Sequence, residues 1–167
     1  MKYDAEVSAA VSQTRTRYGI ALDPALVHAI IQKETLHGAL PITGTLEPDG
    51  HYSYGPMQVK DTTGAMHGIS DPLTLAVPSI GIRIGTFELA RLMQLFPGDT
   101  ARAVAAYNAG SGHAVRNAAG HFPNQSYVDA VLGFWRQYQG AVLGGGAALL
   151  ALLALLFVTL RRRLSRR

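Results

Sequence analysis

Apolar residues along the first 139 positions recur mostly three or four apart, the period of helices buried on one face. The clearest case runs from Asp23 to Gly38. There Leu26 or Val27, then Ile30, Ile31 and Glu34, share a face. Asp23 suits the N-cap, Pro24 the first helical position, and Gly38 the closing turn. A first helix is predicted over 5–18, with Ala5, Ala9, Val11 and Tyr18 as its apolar face. Residues 78–96 are apolar most of the way round, which predicts a helix packed on several sides. Pro97 and Gly98 end it, Asp99 or Thr100 caps a short helix, and that helix stops near Gly110. The last helix of this part is predicted over 126–139, with Tyr127, Val131, Trp135 and Tyr138 on one face.

Between the helices the pattern changes. Residues 38–53 are rich in Gly, Pro, Thr and Asp, and Pro48-Asp49-Gly50 is a turn signal flanked by Thr43, Thr45, His51 and Tyr52. A short hairpin is expected there. Pro56 cannot donate to a ladder, so 54–59 is read as a turn leading into a short helix near Asp61. The fold class is mainly α: a helical domain over 1–139 with a short hairpin or loop lobe.

The remaining residues differ in kind. Positions 140–160 hold no charged side chain. As a helix they would span about 31 Å, close to the hydrocarbon thickness of a bilayer. Trp135 and Tyr138 precede this stretch, and an Arg-rich tail, 161–167, follows it. A single C-terminal transmembrane helix is therefore expected, with the Arg end on the interior side. Gly140 and Gly144 have the spacing of small-residue helix contacts, which allows self-association. The N-terminal residues show no apolar run, so no ordinary secretory signal is expected.

Charge follows the same division. The net +4 of the chain comes from five Arg in the tail, and residues 1–160 carry ten basic and eleven acidic side chains. No nucleic-acid partner is expected from such a balance. The chain has no Cys and its six His form no HExxH pattern, so neither a metal site nor a cofactor is expected.

The candidate chemistry begins with Glu34. A carboxyl ending an apolar stripe loses solvation of its charged form, its pKa rises, and a neutral acid near pH 7 suits proton donation. The alternative is a helix-end Glu turned into water. Four short segments then stand in order: Glu34-Thr35, Gly55-Pro56-Met57-Gln58, Ala106-Tyr107-Asn108-Ala109-Gly110, and Tyr127-Val128.

This set resembles the lytic transglycosylase domain of the lysozyme superfamily, of the soluble lytic transglycosylase type, over roughly residues 15–138. That family shows Glu-Ser, Gly-Leu-Met-Gln, Ala-Tyr-Asn-Ala-Gly and a Tyr-Val step in the same order. Thr35 replaces the usual Ser but keeps the hydroxyl, Pro56 replaces Leu, and the loop from Glu34 to Gly55 is long for the family. The resemblance implies a lysozyme-like fold and cleavage of the β-1,4 bond between N-acetylmuramic acid and N-acetylglucosamine. Glu34 would protonate the glycosidic oxygen. As a carboxylate it would then take the proton of the sugar's own 6-hydroxyl, giving a 1,6-anhydro end without a second carboxylate.

The same resemblance implies roles around Glu34. Gln58 would bind an N-acetyl or hydroxyl group, or else brace its loop. Met57 would wall a sugar face, or else plug the core. Tyr107 would bond Glu34 or the substrate, and Asn108 would contact substrate or brace the site. Tyr127 would reach into the same cleft, or serve as an ordinary core Tyr. Thr35, Gly55 and Gly110 would support the site. Glu47, Asp49 and Asp61 are read as solvated loop charges. Two rival functions remain at this point: a lysozyme-type hydrolase of the same fold, and a peptidoglycan-binding or assembly module.

A transglycosylase domain with a C-terminal membrane segment and no signal also resembles the virion-associated enzymes of tectivirus-like bacteriophages. That implies a single-pass protein of a virion's internal membrane, with envelope or virion proteins as partners. A bacterial inner-membrane enzyme is the alternative. In either case the domain would face the cell wall.

Overall fold

The structure, a computed structural model, describes residues 1–140. Most of them form one compact unit, Met1–Trp135, and a second unit begins at Arg136. The expected membrane span over 140–160 and the tail over 161–167 lie, but for Gly140, outside the described residues. Among the described residues no helix is long and apolar enough to cross a membrane.

Helix α1 (Asp4–Tyr18) buries Val7, Ala10 and Thr14. Of the expected face, Val11 and Tyr18 lie half-buried on this stripe, four residues after Val7 and after Thr14, whereas Ala5 and Ala9 are exposed, which corrects their placement. Helix α2 (Pro24–Thr35) is the most buried of the early elements, with Leu26, Val27, Ile30 and Ile31 at or near zero exposure. Its start is as expected: the Asp23 carboxylate accepts the Ala25 N–H at 2.9 Å, and Pro24 occupies the first turn.

The end of α2 differs from expectation. The helix closes at Leu36 in the left-handed region, φ 49°, three residues after Lys33, and His37 and Gly38 follow with positive φ as well. Thr35 accounts for the early stop. Its hydroxyl lies 3.2 Å from the Ile31 carbonyl and 2.9 Å from that of Pro56, and it accepts the Gly38 N–H at 3.1 Å. A side chain thus takes up a backbone donor that another helical turn would have used.

Three short strands follow: β1 (Thr45–Leu46), β2 (Tyr52–Tyr54) and β3 (Val59–Lys60). They pair antiparallel in the order β1-β2-β3, with Thr45 opposite Ser53, Leu46 opposite Tyr52, Ser53 opposite Lys60 and Tyr54 opposite Val59. The hairpin at 48–50 is where it was expected, whereas β3, just past the Gly55-Pro56 turn, was not. Pro56 sits in the turn itself and leaves the ladder intact.

Helix α3 (Asp61–Met66) and a 3-10 turn, Pro72–Ala76, lead to α4 (Pro78–Leu95). Helix α4 is buried over Ile82, Ile84, Leu89 and Leu92 and packs against both α1 and α5 (Thr100–Ala109). Asp99 caps α5, accepting the Arg102 N–H at 2.9 Å. A last helix, α6, starts at 125 and is helical through 135 in this unit. It seats Tyr127, Val128 and Val131 in the core. The Trp135 indole N–H is donated to Asp23 at 2.8 Å. Trp135 therefore closes onto the start of α2. The result is the expected mainly helical fold, with a small three-stranded sheet.

Candidate active site

Helix α2 carries Glu34 in its last turn, to the edge of a cleft of about 970 Å³. The sheet lobe contributes Thr45, Glu47, Ser53, Gln58 and Lys60 to the cleft. The end of α5 contributes Tyr107, Asn108 and Gly110, while Thr63 and Met66 of α3 and Glu88 and Arg91 of α4 complete it. Clefts of this size suit several sugar rings or a ligand of comparable bulk.

Glu34 is half-buried by surface yet densely surrounded by protein, and desolvation pushes its pKa up to about 7. Tyr127 opposes that rise. Its hydroxyl donates to Glu34 Oε1 at 2.5 Å, which favours the carboxylate. The nearby Lys33 ammonium, 5.8 Å from the Tyr127 ring centroid, also favours the charged form. Glu47 acts the other way, adding a like charge. The outcome is an acid half-protonated near neutrality, able to give a proton and take one back. Because Oε1 accepts from Tyr127, the acidic proton falls to Oε2.

The remaining residues divide into those that face the cleft and those that shape it. Gln58 lines the cleft with its backbone at φ 45°, a left-handed position rare for a non-glycine. Its Nε2 donates to the Gly55 carbonyl at 3.0 Å, so the loop fixes the amide and leaves Oε1 as the acceptor for a ligand. Tyr107 lines the cleft but bonds neither Glu34 nor solvent-side partners through its proton, because its hydroxyl donates to the Met57 carbonyl at 3.0 Å. Burial, then the Glu34 and Glu88 charges, raise its pKa well above the usual value and keep it a donor. Asn108 is exposed at the cleft and accepts from Asn124 Nδ2 at 2.9 Å, and that amide also donates to the Ala105 carbonyl. It ties the end of α5 to the approach of α6.

Two expected substrate contacts are corrected. Met57 has no exposed surface and does not line the cleft; its sulfur takes a weak bond from Thr86 at 3.8 Å. It is the core plug beneath the cleft. Tyr127 is 6% exposed, is absent from the cleft lining and donates to Glu34, so it acts on the carboxyl. Both residues are held inside by the packing of α4 and α6.

The supporting residues have distinct tasks. Thr35, fully buried, links α2 to the Gly55 turn through the Pro56 carbonyl. Gly55 has φ 76°, and a Cβ there would stand 2.2 Å from the Leu75 carbonyl oxygen. Gly110, φ 83°, ends α5, its N–H bonded to the Ala106 carbonyl at 2.8 Å.

Sequence reasoning missed several cleft residues, Glu47, Glu88 and Arg91 among them. Glu47 is no loop charge in open solvent; it follows β1, its N–H bonded to the His51 carbonyl at 2.8 Å across the hairpin, and lines the cleft with Thr45. Asp49 and Asp61 stay outside it, paired with Lys60 at 2.7 Å and His51 at 3.0 Å. Glu88 and Arg91 lie on α4, where a lone acid within an apolar run, followed by Arg at i+3, was the available signal. Arg91 holds Glu88 through two bonds, Nε to Oε2 at 2.8 Å and Nη2 to Oε1 at 2.6 Å, and His67 Nε2 lies 3.1 Å from Oε2. Burial alone would raise the Glu88 pKa, but these partners outweigh it and hold it below the ordinary value.

Residues 11–127 match the Transglycosylase SLT domain family, and the chain belongs to it. The structure is also similar to the X-ray structure of an inactive glutamate-to-glutamine mutant of lytic transglycosylase Slt from Pseudomonas aeruginosa, with a TM-score of 0.59 at 23% sequence identity. That similarity covers 81% of this chain and 24% of the other, so the chain spans about a quarter of that protein's length.

Proposed function

We propose that the protein is a peptidoglycan lytic transglycosylase that cleaves the β-1,4 bond between N-acetylmuramic acid and N-acetylglucosamine and leaves a 1,6-anhydro end. The observation that carries this reading is Glu34: a carboxyl at the edge of a cleft of sugar-binding size, raised to about 7, with a tyrosine hydroxyl on one oxygen. Glu34 Oε2 gives its proton to the glycosidic oxygen as the bond to the anomeric carbon breaks. The carboxylate formed is steadied by Tyr127 and takes the proton of the 6-hydroxyl as that oxygen bonds the anomeric carbon. The proton count on Glu34 closes and water is not consumed.

One observation favours a second reading, hydrolysis. Glu47 lines the same cleft, and a second carboxylate is what a water-using glycosidase requires. Mass spectrometry of soluble products from purified sacculi, digested with the protein and with Glu34→Gln, separates the two. Fragments ending in 1,6-anhydro-muramic acid, absent with the variant, are expected. Reducing ends would establish the hydrolase, and release that persists with Glu34→Gln would remove Glu34 from the chemistry.

Membrane attachment through 140–160, with the domain turned to the wall for local opening, completes the proposal. It is supported by the uncharged run and the Arg cluster after it. A virion enzyme of a membrane-containing bacteriophage fits that layout, as does an inner-membrane enzyme serving an envelope-spanning machine. Protease protection of the full chain in sealed vesicles tests the attachment: a tail shielded together with 140–160 is expected, and a fully digestible tail opposes it.

A further inference from the structure

We infer that Arg91 is a specificity residue that binds a carboxylate of the peptide stem, so that the cleft selects glycan strands bearing peptides over bare strands. This rests on the peptidoglycan reading above. Arg91 lines the cleft, with 40% of its side chain exposed, and stands apart from the acid–base apparatus at Glu34. Its orientation is set by a neighbour on the same helix. Glu88, 9% exposed, grips Nε and Nη2, and His67 on the far side of Glu88 adds a third bond to that carboxylate. The Tyr18 hydroxyl lies 3.5 Å from His67 Nδ1, on the ring nitrogen away from Glu88. The chain Tyr18–His67–Glu88–Arg91 thus runs from α1 through α3 to α4 and ends at the cleft.

A guanidinium has five N–H donors, and Glu88 engages two of its nitrogens through one edge. No protein acceptor bonds Nη1 among the described residues. A fork held on one edge, in a half-exposed residue of the cleft lining, is suited to a planar carboxylate. Its surroundings fit a short peptide better than a sugar. Met66, beside His67 in sequence and 67% exposed, offers an apolar contact in the same cleft, and Thr63 adds a hydroxyl. On bare glycan each muramic acid carries its free carboxylate on the short lactyl arm, whereas on a stem-bearing strand that carboxyl is an amide and the carboxylates stand further out, along the peptide.

The test uses the full chain on soluble uncrosslinked glycan strands and on the same strands stripped of stems by an amidase. The wild type is expected to show kcat/KM about tenfold higher on stem-bearing strands, the scale of one charged hydrogen-bonded contact. Arg91→Gln is expected to bring that ratio toward one, through KM on stem-bearing strands, and Arg91→Lys to restore part of it. Calorimetry with Glu34→Gln, titrated with N-acetylglucosaminyl-N-acetylmuramyl tetrapeptide and with the peptide-free disaccharide, reads the same preference without turnover. No preference in the wild type, or equal loss on both strands in Arg91→Gln, would overturn the inference. Stem-dependent binding without cleavage would sink the proposed activity and leave this inference standing.

Discussion

The Tyr127 hydroxyl and Glu34 Oε1 meet at 2.5 Å across 93 positions of sequence. Burial raises the Glu34 pKa, and this bond is the strongest force holding the rise in check. Tyr127→Phe removes a donor to the carboxylate, so the Glu34 pKa moves further up. In the pH profile of kcat/KM the alkaline limb, set by loss of the Glu34 proton near pH 7, should move to higher pH. The maximal rate should fall about tenfold or more, because the carboxylate formed after proton donation loses its partner. An unchanged limb would mean that Tyr127 only packs.

The same carboxyl sets a stability difference with a defined sign. Its folded pKa of about 7 lies above the ordinary 4.5. The neutral form therefore favours folding, and this stability is fully present below about pH 4.5 and is lost as pH rises through 7. Glu34→Gln stays neutral and keeps an acceptor for Tyr127. It should melt at about the wild-type temperature near pH 4 and be more stable by about 2 kcal/mol near pH 8, allowing for the carboxyl's access to cleft water. Thermal melts at the two pH values check this.

Thr35 links the helix bearing Glu34 to the Gly55 turn. Thr35→Val keeps the volume but leaves the Pro56 carbonyl and the Gly38 N–H without it. The expected cost is about 2–3 kcal/mol in denaturant unfolding, with lower activity in the folded protein. Thr35→Ser, which keeps the hydroxyl, should lose less than about 1 kcal/mol.

Gly55 and Gly81 both face the Leu75 carbonyl oxygen, where a Cβ would stand 2.2 and 2.3 Å away. That backbone oxygen belongs to the 3-10 turn and has no side-chain freedom to retreat. Either Ala variant should cost about 3 kcal/mol or more and lower soluble yield. Gly112→Ala, with nothing near its added methyl, should unfold within about 0.5 kcal/mol of wild type.

Legibility in the sequence tracked the range over which each feature is set. The Asp23 cap, Pro24 and the face carrying Glu34 are local, and α2 begins as they predict. Its end was misplaced because Gly38 has the composition of a cap, while the stop is imposed by Thr35 bonding to Pro56, 21 residues on. Met57 reads as a cleft wall when its motif is taken as a string. The left-handed turn at Gln58 instead leaves Gln58 at the surface and Met57 inside, and no spacing rule predicts that. Glu88 and Arg91 look like a solvated i, i+3 pair. Only the packing of α4 against α1, and the reach of His67 from α3, makes Glu88 a buried anchor. Tyr127 was found through its motif, yet its bond to Glu34 is a tertiary fact.

The central claim is that Glu34 directs an attack by the substrate's own 6-hydroxyl. Digesting uncrosslinked glycan strands in water enriched in ¹⁸O, with mass spectrometry of the new ends, tests it most directly. The account predicts ends lighter than a reducing sugar by one water and free of ¹⁸O. Reducing ends carrying one ¹⁸O atom would contradict it and establish water as the nucleophile.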